Sequence, residues 1–375
     1  MKVLFKTFTL LATTNNKVIN TSINFGIFSS NEMIITNLAR YAVKGLSPDN
    51  LSTISLSSHD KTFPDDRRFA LLKKSKNENS LDEEGNENKA EHSLKFNEKE
   101  PQWLHKENFL CAFSDPEFMA DFQTSYEIVK GDGAYVNQGT ATATQRLLTV
   151  IRRDAKDEES GSVFDLNSSK GREEVAHFFE EQHPPSLVDK HEQTSLVCVT
   201  QSQSHNHMHQ FGNTSSGIKK NNGDTRTIHI VNEATVRDVE NKINSDAGRC
   251  TNIKLNSMRF RPNIVVDGLE PWKEFDFVGK RLKIIPKQST PIGNNLNNGS
   301  ITLKVLSKTV RCAGIGVDPT QKTDKLDVPQ LLSRHFPQYG PYLGVYAVIE
   351  CHSDADDGLA DFCIGVGDRI QLIDE

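Results

Sequence analysis

The feature that most constrains the fold is a rhythm of short apolar runs through the C-terminal half, at 264–266, 282–285, 301–306, 346–350 and 369–373. Each is strand-sized and rich in Val, Ile and Leu, and turn residues such as Gly365, Gly367 and Asp368 break the series. None approaches the roughly 18 apolar residues that a membrane-spanning helix needs, so no transmembrane span is expected. Helical spacing is rare. Ser168 or Ser169 can cap a helix carrying Val175, Phe178 and Phe179, and Asn232 can cap one carrying Val236, Val239 and Ile243 just after the strand at 227–231. The pattern predicts an α+β, strand-dominated chain with a few helices, in the manner of a barrel or rolled sheet.

The N-terminal half has the same character, with strand-like segments at 33–35, 51–56, 69–72, 108–113, 146–151 and 196–200. At 375 residues the chain has length for two domains, since one typically takes about 150. The expected division is a ragged or targeting segment at 1–32, an N-terminal β-barrel-like domain at 33–200, a polar loop at 201–212 and a second barrel domain at 213–375. Within the first domain, 73–101 is a Lys/Glu/Asn tract that cannot bury a face and reads as a disordered insertion. In the polar loop, His205, His207 and His209 alternate, as metal ligands on one side of an extended segment would. In so polar a setting, solvated histidines are the commoner outcome.

Charge and cysteine usage narrow the function classes. With 44 Lys+Arg against 50 Asp+Glu the net charge is −6, which argues against a general nucleic-acid or anionic-membrane partner and makes any anion site local. The six cysteines lack CxxC spacing and fit a reducing, intracellular setting better than a disulfide scaffold. Residues 1–30 carry Lys2, Lys6 and Lys17 and no acid, as in an organelle presequence or an ordinary ragged terminus, so mitochondrial, other organellar and cytoplasmic locations all stay open.

Two segments carry chemistry. In 258–268, Arg259 and Arg261 flank Phe260, and Pro262-Asn263 leads into a strand closed by Asp267-Gly268. An arginine fork grips phosphate or carboxylate at two points, and Asn263 can donate and accept hydrogen bonds. Taken alone, surface arginines beside an edge strand are the commoner reading. In 308–319, Cys312 stands beside Arg311 and close to Gly314 and Gly316. A neighbouring cation favours thiolate, the form that binds soft metals, although a buried structural cysteine is the commoner case.

Together these segments resemble the MOSC family, the molybdenum-cofactor-binding domains of the mitochondrial amidoxime-reducing components and of molybdenum cofactor sulfurases. Arg259-Phe260-Arg261-Pro262-Asn263 matches the family's FRPN signature, and Arg311-Cys312 followed by Val317-Asp318-Pro319 matches the segment with the metal-binding cysteine. Upstream, Tyr41-Ala42-Val43-Lys44-Gly45 and Asp66-Arg67-Arg68-Phe69-Ala70-Leu71 are similar to motifs of the barrel domain preceding MOSC in the amidoxime-reducing type. Ala42 replaces a usual proline, Gly45 a serine and Phe69 a tryptophan. Thr214-Ser215, 230–234 and Gly344-Val345-Tyr346 align in the same order.

The resemblance implies Cys312 as catalytic group and molybdenum ligand. Lys44, Gly45, Arg67, Thr214, Ser215, Arg261, Asn263, Arg311 and Tyr346 would hold the rest of the molybdenum cofactor. It also implies an oxidoreductase that reduces N-hydroxylated small molecules, such as amidoximes and hydroxylamines, with electrons from an external donor such as cytochrome b5 and its reductase. A non-catalytic carrier of the cofactor or its sulfur would use the same residues, as would a scaffold protein retaining the fold. Pyridoxal phosphate is not expected, because the N-terminal half reads as strands rather than the large α/β domain that accompanies it in the sulfurases.

Overall fold

The computed structural model describes residues 32–75, 104, 106–129, 144–154, 161–183, 194–200, 210–211, 226–246, 253–287, 299–321, 325–353 and 362–373, plus two-residue strand pairs at 13–14/17–18 and 203–204/207–208. Most of 1–32 and 73–101, the turn at 131–133, the side chains of His205, His207 and His209, and Thr214 and Ser215 lie outside the described residues.

The first half contributes β1 (Glu32–Arg40), β2 (Asp49–Leu51), β3 (Thr53–Leu56), β4 (Phe69–Ser75), β5 (Phe109–Leu110), α1 (Pro116–Ala120), β6 (Phe122–Val129), β7 (Gln145–Arg152), β8 (Ser162–Asp165), α2 (Ser169–Gln182) and β9 (Thr194–Thr200). The second contributes β10 (Ile228–Asn232), α3 (Glu233–Asp246), β11 (Ile264–Asp267), β12 (Arg281–Ile285), β13 (Gly299–Val310), α4 (Val328–His335), β14 (Tyr342–Ser353), β15 (Phe362–Gly365) and β16 (Arg369–Ile373). The helices start as the sequence dictates: the Ser168 hydroxyl accepts from the Gly171 N–H at 2.9 Å, and the Asn232 side chain accepts from the Ala234 N–H at 3.1 Å.

Seven strands close a barrel in the order β1-β11-β10-β14-β13-β12-β16 and back to β1, every pair antiparallel except β10 with β11. Alternation produces its core. Along β14, Leu343, Val345, Ala347 and Ile349 point inward to meet Leu303 and Val305 of β13 and Leu282 and Ile284 of β12, all buried. Val236, Val239 and Ile243 of α3 join the same core with Leu332 of α4.

Between β3 and β10 the chain builds a second unit from two three-stranded sheets, β9-β4-β5 and β8-β7-β6. Helix α2 packs on β8 and β9 and sets Phe179 against Phe122 at 5.0 Å between ring centroids. Here the structure differs from the expected N-terminal domain: β1 and β2 belong to the sheet of the C-terminal half, and the strands described between 69 and 200 form open sheets. The alternation in β1 identifies a strand but not its neighbour. That neighbour is distant, and Asn263 Nδ2 donates to the Ala39 carbonyl across 224 residues of sequence.

One buried acid makes the barrel's stability depend on pH. Glu274 is 1% exposed, and its carboxylate accepts from Asn232 Nδ2 at 3.1 Å and from the Thr235 hydroxyl at 2.9 Å. Burial pushes its pKa up to about 7, against these hydrogen bonds. The folded value lies above the unfolded one, so this group's relative stabilisation is present below the unfolded pKa and lost as pH rises through about 7. Glu274→Gln keeps the shape without the titration. Urea unfolding from pH 4.5 to 8 is expected to give the wild type an extra loss of up to about 3 kcal/mol relative to the variant. Parallel pH profiles for the two proteins would refute this.

Candidate functional site

The barrel and the second unit meet at a cavity of about 410 Å³. Five cationic side chains line it, Lys44, Arg67, Lys106, Arg261 and Arg311, and no acid does among the described residues. Cys312, Gly45 and Tyr346 line it as well, so most of the expected site residues converge here from widely separated positions. Thr214 and Ser215 fall outside the described residues; Phe211, shortly before them, forms part of the wall.

Local backbone geometry aims these groups. Arg261 follows a 3₁₀ turn (Ser257–Phe260) and takes a left-handed conformation with φ of 56°, which turns the chain before Pro262. Its Nη2 donates to the Leu46 carbonyl at 2.6 Å. Arg67 is also left-handed, at φ 50°. Positive φ is uncommon outside glycine and is held only where the surroundings determine it. Arg67 Nη1 donates to Asp66 at 2.7 Å, and its Nη2 donates to the Arg261 carbonyl at 3.3 Å. The Tyr41 ring receives both guanidinium groups, with Arg261 Cζ 4.5 Å and Arg67 Cζ 5.4 Å from its centroid.

Gly45 has a steric task. With φ of 94°, it would place a Cβ 2.6 Å from the Cys111 Cα, so any side chain there would push the second unit away from the cavity. The residue before it, Lys44, is buried and holds its ammonium 4.9 Å from the Phe109 ring.

Electrostatics follow from placing so many cations together. Burial, with Arg67 and Arg261 nearby, lowers the Lys44 pKa. Burial lowers Arg261 to about 10 and also lowers Arg311, with Arg67 adding to the effect. Arg67 moves the other way: burial acts to lower it, but Asp66, Tyr346 and Tyr41 together outweigh that desolvation. The Nε of Arg311 is buried without a hydrogen-bond partner among the described residues. A cationic pocket with an unpaired N–H calls for an anion with several oxygens.

Cys312 is exposed, which removes the reading of a buried structural cysteine. It opens a 3₁₀ turn (Ala313–Ile315). Arg259, the other arginine of the 258–268 segment, does not line the cavity. It is 2% exposed and donates from Nη1 to the Gly316 carbonyl at 2.6 Å, pinning the loop after the thiol.

Asn263 also stands apart from the expected cofactor contacts. It is fully buried and absent from the wall: Oδ1 accepts from the His229 N–H at 3.0 Å and from Arg67 at 3.4 Å, while Nδ2 donates to Ala39. It ties β1 to β10 beneath the cavity. Among the polar and thiol-bearing residues of the wall, sequence reasoning missed His229, Cys111 and Lys106. His229 left one signal, a polar ring in an otherwise apolar run; Cys111 and Lys106 left none.

The fold and the cavity together define a closed β-barrel protein with a cationic, thiol-bearing cleft at its junction with a second unit. Residues 217–371 match the family model of the MOSC domain, so this part of the chain is a MOSC domain, a type found in molybdenum-cofactor-binding proteins. The match covers β10 to β16, whereas the barrel is completed by β1 from outside it. No curated protein matches the chain.

Proposed function

We propose that this cavity binds a molybdenum cofactor and that the protein is an oxidoreductase for N-hydroxylated compounds. Supporting the reading above all is the convergence of Lys44, Arg67, Arg261 and Arg311 with Cys312 on one cavity that no acid lines among the described residues. An exposed thiol beside a cation suits a soft metal, and the unpaired Arg311 Nε suits the oxyanion of a pterin phosphate. Lys44 would contribute a compact point charge, and Tyr346 a hydroxyl on the same wall.

When bound, the group would supply two-electron redox chemistry at the metal. The chain's own part is to provide the thiolate of Cys312, to neutralise the cofactor's negative charge and to hold the substrate beside the metal in a partly enclosed space. The net reaction, R–NHOH + 2e⁻ + 2H⁺ → R–NH₂ + H₂O, draws its electrons from an external donor, for which cytochrome b5 and its reductase are the candidates by resemblance.

Protein purified from a host that makes the cofactor is expected to carry about one molybdenum per chain with the fluorescence of released, oxidised pterin. Metal-free, pterin-free protein from that host would refute the reading.

A further inference from the structure

We propose that His229 is a positioning residue for the anion site, holding the Arg311 guanidinium and the Arg261 backbone in the orientation that receives an oxyanion. The inference deepens the cofactor reading and rests on it only in taking that oxyanion to be the cofactor's phosphate.

His229 lies mid-strand in β10, where Ile228 and Ile230 belong to the barrel core and the imidazole instead reaches the cavity wall. Its ring stands 5.5 Å from that of Tyr346 on the neighbouring strand. Both nitrogens face groups of the site: Nδ1 is 3.4 Å from the Arg261 carbonyl and Nε2 is 3.4 Å from Arg311 Nη1. A carbonyl only accepts and a guanidinium only donates, so these two contacts are both made with the proton on Nδ1 and the lone pair on Nε2, and the Leu343 carbonyl lies beside the ring as a further acceptor. The imidazole is therefore neutral, in keeping with a pKa lowered well below the usual value, first by burial and then by Arg311 and Arg67.

Two further observations indicate that the arrangement is built for a ligand. Gly344, at φ 76°, would place a Cβ 2.6 Å from His229 Nε2, so the adjacent strand leaves the ring its room by omitting a side chain. Arg311 is also held from its other end, where Nη2 donates to the Phe260 carbonyl at 2.8 Å. Fixed by Phe260 and His229, the guanidinium lines a cavity of like charges with its buried Nε still unpaired among the described residues, a surplus of positive charge that the oxygens of a phosphate would balance. A neutral imidazole serves here because it fixes two cationic residues without adding a further charge. An apolar residue would leave Arg311 with a second nitrogen, Nη1, lacking its partner and with freedom to turn away.

The test uses the full chain with inorganic pyrophosphate as probe, its affinity measured by calorimetry at constant ionic strength, alongside thermal unfolding. His229→Leu is expected to weaken binding about 10- to 50-fold, while His229→Gln, which keeps a donor and an acceptor, stays within about threefold of wild type. In an Arg311→Ala background the His229→Leu effect should shrink to less than about threefold, because the residue acts through that guanidinium. Unchanged affinity in His229→Leu would overturn the proposal. So would an equal loss in both backgrounds, a lack of rescue by glutamine, or a wild type that does not bind the probe. Molybdenum and pterin content, read separately, decide the cofactor reading: protein without either that still shows the His229-dependent affinity leaves the positioning role intact and removes the cofactor.

Discussion

Cys312→Ala is expected to abolish reduction of benzamidoxime or a similar amidoxime, by at least about 10³-fold, because even outer partners of a metal's ligands typically matter 10- to 100-fold. Stability should barely move. Cys312 is exposed, and surface substitutions of that kind usually stay within about 0.5 kcal/mol. The combination is diagnostic: lost turnover and reduced molybdenum content at an unchanged melting temperature locate the defect in the metal's ligand rather than in folding. Pterin fluorescence adds a distinction, since the cationic wall would keep part of its hold on the organic portion. A Cys312→Ala protein with wild-type turnover would remove the thiol from the chemistry.

The second large effect falls on stability and on a residue the cavity hides. Asp66 is 2% exposed and accepts three hydrogen bonds, from the Tyr41 N–H at 2.8 Å, Arg67 Nη1 at 2.7 Å and Gln210 Nε2 at 2.9 Å. Gln210 extends the network to the Thr62 hydroxyl and accepts from the Thr227 N–H. Asp66→Ala removes the one carboxylate paired with Arg67 among the described residues and strands two further donors, so a loss of about 3–5 kcal/mol is expected in urea unfolding. Asp66→Asn keeps the size but can turn an N–H toward donors, and should also destabilise. A loss under about 1 kcal/mol in Asp66→Ala would mean that the network is not what holds the cavity wall.

The limits of legibility follow from the physics of each feature. Strands such as β14 and β16 and helices such as α2 and α3 could be read because alternation, helical spacing and caps are local. Strand β6 and helix α4 have local patterns that the strand and helix signals above do not include, and 108–113 forms only the two-residue β5 before entering turns. Motifs point to Arg261, Lys44, Arg67 and Cys312, and the fold brings all four to one cavity. Asn263 was recognised as a hydrogen-bonding residue, but its bonds run to Ala39, His229 and Arg67 within the protein. His229 was passed over because its partners, Arg261 and Arg311, come from segments whose approach only the closed sheet decides. The pairing of Leu38 with Ile264 has no local signature at all.

That pairing gives the barrel a temporal order. Strand β1 leaves the ribosome well before its neighbours β11 and β16. At ordinary elongation rates roughly 20–60 s separate β1 from β16. Through that interval an apolar strand waits with only its short pairing to β2 in place. The nascent chain thus needs something to shield Met33, Ile35 and Leu38, and chaperone demand should be set by the wait for the final strand rather than by the size of the core.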